Sequence, residues 1–204
     1  MKKTTNIRYL TQLSVLVAIE LILTYTPLGY FKMPGLEITF LAIPVVIGAI
    51  LLGPAAGAVL GGVFGLTSFG TCFGSSSFGV ALMAVNPIFT FITCVPTRIL
   101  MGWLTGLLFK ALAAKAQGGK PSAIAFGVTS LVGPLLNTVL FTGTMTLFFY
   151  QTEFIQGFVS AMGAANPFTF MVLFVGINGL IEAVACFLVS GALSGALWNT
   201  VRSK

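Results

Sequence analysis

The sequence predicts an all-α membrane protein, with six transmembrane helices in one bundle and both the N- and C-termini cytoplasmic. Three observations carry this. First, 57% of the 204 residues are hydrophobic, 7% are charged, and the mean hydropathy is +1.05. A soluble domain carries about 25% charged residues, and no soluble packing arrangement hides this much apolar surface. Second, six apolar segments approach the roughly 20 residues a helix needs to cross a bilayer. Third, eight of the ten Lys and Arg lie at the termini or in one internal loop, which is the charge asymmetry of membrane topology rather than of nucleic-acid binding. The length suits a single domain over 1–204.

The segments follow in order. Met1-Lys2-Lys3 before an apolar run resembles a signal peptide, but Tyr9 to Leu28 is too long for one and has no small-residue exit. It is read as span one, about 8–27. Span two, about 38–52, is ended by Gly53-Pro54, and span three covers about 55–71. Spans four to six are expected near 87–112, 122–149 and 167–199. Asn86-Pro87 and Asn166-Pro167 stand before spans four and six as helix-start signals, Asn capping and Pro pre-set for the first turn. Lys2, Lys3, Arg8, Lys110, Lys115, Lys120, Arg202 and Lys204 then share one side, which the positive-inside rule makes cytoplasmic. The two Asn-Pro pairs are 80 residues apart, as are Gly53-Pro54 and Gly133-Pro134, a weak hint of internal duplication.

Composition excludes several chemistries. The chain has no His and no Asp. A histidine-based triad, a His-ligated metal site and an aspartyl-phosphate site are therefore ruled out, and no enzymatic activity, metal or cofactor is expected. Cys72, Cys94 and Cys186 have no metal spacing and are read as small packing residues. No G-x-x-x-x-G-K-[ST] phosphate loop occurs, so the chain does not hydrolyse ATP.

Three charged residues fall at membrane depth: Glu20 in span one, Arg98 in span four and Glu182 in span six. Each costs about 2.5–3.5 kcal/mol at a helix centre, so each needs a partner or a ligand. Arg98 and Glu182 either pair to tie two helices or form a site in which Arg98 binds an anion; the two readings are compatible. Asn137 and Asn178, on separate spans at similar depth, read as pocket lining as well as interhelical glue. Asn178 and Glu182 are four residues apart and share a helix face. The middle outer connection, "TCFGSSSFGVALMAVNP", reads either as a flexible linker or, given Phe73, Phe78 and Met83, as a lid over an outward pocket.

Ser14 and Ala18 form a small-xxx-small pair in span one, and Glu20 lies about 200° around the helix from Ala18. If Glu20 faces the bundle, the small pair faces out and suits docking of another membrane helix. Gly57, Gly61 and Gly65 repeat at the same spacing in span three, a signal for close helix packing within this molecule or with another.

"ITFLAIPVVIGAILLGPAAGAVLGGVFGLTSF", "VPTRILMGWLTGLLFKAL", "LLNTVLF" and "NGLIEAV", in this order over nearly the whole chain, resemble the substrate-binding S component of an energy-coupling factor (ECF) vitamin transporter. The style of "IPVVIGAILLGP", "FGLTS" and "PTRILMG" most resembles the pantothenate branch. The resemblance implies a high-affinity vitamin binder in the bacterial plasma membrane. It would dock on an ECF module of one transmembrane coupling protein and two cytoplasmic ATPases and topple to deliver its cargo. It places Ser14 and Ala18 at the family's Ala-x-x-x-Ala docking pattern, with Ser in place of the first Ala. It places the pocket among the outer loops and the outer halves of helices four to six, where Asn137 and Asn178 resemble the polar contacts of riboflavin-type members; with the charged residues Arg98, Glu182 and Glu20 they are the substrate-binding candidates. The Lys that riboflavin-type members carry near Asn178 is absent; Ile181 and Glu182 stand there. Riboflavin, pyridoxine-type and hydroxymethylpyrimidine ligands are the alternatives. A stand-alone channel or secondary transporter and a purely structural membrane scaffold are the competing classes.

Overall fold

The computed structural model describes residues 2–26, 29–33, 36–114 and 121–202; for residues 2–6, 30–33, 36–38, 175, 177, 178 and 202 it describes the backbone alone. Eight helices and one hairpin follow in chain order: α1 (Lys2–Tyr25), β1 (Tyr30–Met33), β2 (Leu36–Thr39), α2 (Ala42–Leu51), α3 (Pro54–Thr71), α4 (Ser77–Val85), α5 (Pro87–Ala114), α6 (Ala123–Phe149), α7 (Glu153–Ala161) and α8 (Pro167–Arg202). Four of these are long and apolar enough to cross a membrane: α1 over Ile7–Tyr25, α5, α6, and α8 over Gly179–Val201.

The all-α expectation needs one correction. The first outer connection is an antiparallel hairpin whose register sets Tyr30 opposite Thr39 and Lys32 opposite Glu37. The signal was present in "YFKM" and "LEIT", two short runs flanking Pro34-Gly35, a turn dipeptide that lies outside the described residues. β2 takes Ile38 and Thr39 from the stretch expected for span two, and α2 begins only at Ala42.

At 1.5 Å per residue the ten-residue α2 is about 15 Å long, half a bilayer core. Nine of its ten residues are buried, which makes it the central element of the bundle. It packs against α3, α5, α6 and α8, with α1 alongside. It is short because Gly53 turns the chain at φ +100°, a conformation only glycine adopts freely, and Pro54 starts α3. Gly133-Pro134 lies inside α6 instead, with Val46 of α2 against Gly133, so the two Gly-Pro pairs do different work.

α3 and α5 run antiparallel in backbone contact. A Cβ on Gly57 would strike the Gly102 carbonyl, one on Gly61 the Arg98 carbonyl, and one on Gly65 the Val95 backbone. The Gly57, Gly61 and Gly65 stripe is thus used within the molecule. Close approach replaces the hydrophobic drive that lipid removes with dispersion contacts.

The two ends of the bundle are closed differently. At the end holding Lys110, the rings of Phe109, Phe126 and Trp198 lie 5.2–5.5 Å apart beneath Val46, Ile47 and Ile50. At the other end, the connections that precede α5 and α8 contain the helices α4 and α7. Asn86 Oδ1 accepts from the Ile88 and Phe89 amides to start α5, and Asn166 Oδ1 accepts from the Thr169 amide to start α8. Ser76 and Thr152 cap α4 and α7 in the same way.

Candidate functional site

Arg98 lies twelve residues into α5 and is 5% exposed. Its Nη1 donates to the carbonyl oxygens of Cys94 at 2.9 Å and Thr93 at 3.4 Å. Pro96, inside the same turn, lacks the N–H that would serve the Ile92 carbonyl. The guanidinium carbon sits 4.5 Å from the Phe64 ring centre on α3 and 4.9 Å from that of Phe141 on α6. Two aromatic faces from different helices thus hold the cation by cation–π attraction. Its Nε is buried and has no hydrogen-bond partner.

Asn137 is 6% exposed and its Oδ1 has no partner. It is one helical turn from Phe141, so it lies on the α6 face that meets Arg98. Glu182 on α8 is 7% exposed with Oε1 unpartnered. Of the two readings of Arg98 and Glu182, the direct ion pair is not formed; Arg98 Nη1 donates to the carbonyls of its own helix. The Asn178 side chain lies outside the described residues. Its helical position falls in the i, i+4 stripe Phe170, Phe174, Asn178, Glu182.

Glu20 is fully buried, and neither carboxylate oxygen has a partner. The α1 side chains Leu13, Leu16, Val17 and Leu23 seat that helix on Leu60, Phe64 and Met101. Ser14 and Ala18 are exposed on the opposite side, so the helix carries its carboxylate inward and its small pair outward, as the 100° spacing requires.

Sequence reasoning missed the hydroxyls. Thr90, Thr93 and Thr97 are buried on α5, and Thr138, Thr142 and Thr146 on α6. Thr93 and Thr146 keep unpartnered Oγ1 atoms. Their three- and four-residue spacing was the available signal; threonine is common enough in membrane helices that its type alone did not stand out. The sequence also left open what covers this end. Phe78 of α4 packs on Phe154 and Phe158 of α7 and on Phe174 of α8, with centroids 5.5–6.0 Å apart. Met83 packs on Cys72, Cys94 and Val95. The segment is therefore a packed helix and not a flexible linker.

The arrangement joins one fixed cation, flanked by aromatic faces, to unspent amide, hydroxyl and carboxylate acceptors. No cluster of metal-ligating side chains occurs among the described residues. A guanidinium with an unspent N–H is the chemical group that meets a carboxylate or phosphate.

The family model for the ECF transporter substrate-specific component matches residues 8–194. The chain belongs to this family. As an ECF substrate-specific component it is a membrane protein with a transport role rather than a catalytic one. It is 28% identical over 176 residues to the pantothenate transporter PanT of Leuconostoc mesenteroides subsp. mesenteroides, a match that covers 86% of this chain and 81% of that one.

Proposed function

We propose that this ECF substrate-specific component binds pantothenate at an outward-facing pocket. It spans the bacterial plasma membrane six times with both termini cytoplasmic, α3 making the third crossing and α2, half a bilayer long, making the second together with the segment before it. It passes its cargo inward by docking on a transmembrane coupling protein with two ATPases. The observation that carries the substrate reading is Arg98, held between Phe64 and Phe141 with its Nε edge unspent. Pantothenate offers a carboxylate to that edge and an amide and two hydroxyls to Asn137, Asn178, Glu182, Glu20 and the threonine stripes. The relative named for pantothenate supports the same choice. α4 and α7, joined through their phenylalanines, serve as the lid.

Titration calorimetry on the solitary protein in detergent tests this against a panel of pantothenate, riboflavin, pyridoxine and hydroxymethylpyrimidine. Saturable 1:1 binding of pantothenate alone is expected, and Asn137→Ala lowers its affinity by about tenfold, the cost of one buried hydrogen bond. Silence across the panel would overturn vitamin binding. Binding of an uncharged pyrimidine in place of pantothenate would overturn the role of Arg98.

The exposed Ser14 and Ala18 form the docking face of α1. Ala18→Leu is expected to abolish uptake in cells that carry the whole transporter, because a bulky side chain prevents helix-to-helix approach. Calorimetric affinity of the solitary protein stays unchanged. Equal uptake by wild type and variant would remove α1 as the docking surface.

A further inference from the structure

The end of the bundle away from Arg98 contains a second recess. The α2–α3 turn stands off from the last turns of α5 and α8 and leaves a cavity of about 300 Å³, lined by Ile50, Pro54, Phe109, Ala113, Trp198 and Lys110 among others. Backbone contact between Gly106 and Pro54 sets one edge, and the Phe109–Trp198 ring pair forms the inner wall. All of this lining is apolar except Lys110, whose side chain is exposed.

Charge at this end is one-sided. Arg8 and Lys110 lie here, Lys2, Lys3, Lys115, Lys120, Arg202 and Lys204 adjoin this end in sequence, and none of the four acids does. Glu20 and Glu182 lie mid-helix, while Glu37 and Glu153 belong to β2 and α7 at the opposite end. The cavity thus pairs an apolar cleft with a cation in a field that no carboxylate offsets.

We propose that this cavity binds an acidic phospholipid, with the headgroup phosphate on Lys110 and part of an acyl chain along Phe109, Ala113 and Trp198. Basic pockets between transmembrane helices on the cytoplasmic side bind anionic headgroups for this reason. A free phosphate would leave the apolar walls unused, and a zwitterionic lipid would bring its own cation toward Lys110. The site is separate from the vitamin pocket, so its test stands or falls without reference to the substrate.

Trp198 reports on the cavity directly. In a Trp103→Phe background, brominated phosphatidylglycerol is titrated into the protein in uncharged detergent, with brominated phosphatidylcholine of the same chains and glycerol phosphate as the other arms. Saturable quenching by phosphatidylglycerol alone is expected. Lys110→Gln weakens it about fivefold, the worth of one lysine at a lipid surface, and Ala113→Phe, which fills the cleft, abolishes it. Equal quenching by both lipids, or phosphatidylglycerol quenching unaltered in both variants, would overturn the proposal. Protection of Trp198 by glycerol phosphate would make the site a plain anion site. A Trp198 response only on adding the coupling protein would assign the cavity to that partner.

Discussion

Arg98→Ala is expected to lower pantothenate affinity by about thirtyfold or more in calorimetry on the solitary protein. Removing one partner of a desolvated charged contact costs about 2–5 kcal/mol, and each 1.4 kcal/mol is tenfold. Arg98→Lys keeps the charge but loses the planar fork that meets a carboxylate along two N–H bonds, so an intermediate loss of about tenfold is expected. The order wild type, Lys, Ala separates ligand recognition from mere charge balance. A purely structural arginine would make Lys and Ala alter the melting temperature and leave affinity in the folded fraction intact. That result would sink the anion site.

Gly61→Ala is expected to destabilise the protein by about 2 kcal/mol or more, whereas Gly62→Ala, one residue on, is expected to be neutral or stabilising. The new Cβ at Gly61 meets the Arg98 carbonyl and Ile99 backbone, which have no flexible end to move aside. At Gly62 it meets only Ile99 side-chain atoms at 3.6–3.8 Å, ordinary contact, and alanine gains up to about 1 kcal/mol of helix propensity over glycine. Thermal unfolding in one detergent measures both. Because the struck atom belongs to Arg98, Gly61→Ala should weaken pantothenate binding as well as stability. Equal melting of the two variants would show that α3 and α5 do not meet at this backbone contact.

Much of the helical frame was legible from composition. Runs of apolar residues between Asn-Pro and Gly-Pro signals placed α5, α6 and α8 to within a few residues, because a helix in lipid must satisfy its own backbone and its length is set by the bilayer. The hairpin and the short helices α4 and α7 were less visible. They are brief, and their caps (Ser76, Thr152) are residues that also occur in loops. That Arg98, Glu182 and Asn137 stand well inside long helices was readable by counting. Their hydrogen-bond partners were not, because a contact between helices distant in sequence leaves no local periodicity.

The sequence by itself determined that this is a membrane protein, which residues are costly enough in lipid to require a purpose, and that Ser14 and Ala18 oppose Glu20 on one helix. Those properties follow from composition and from a fixed 100° turn per residue. Only the tertiary structure decided that Arg98 turns to the carbonyls of its own helix and to Phe64 and Phe141 rather than to Glu182. It alone assigned the glycines of α3 to α5, made the ten-residue α2 the buried centre, and packed α4 on α7. A side chain chooses among partners by their distance and direction, and those exist only once the helices have packed.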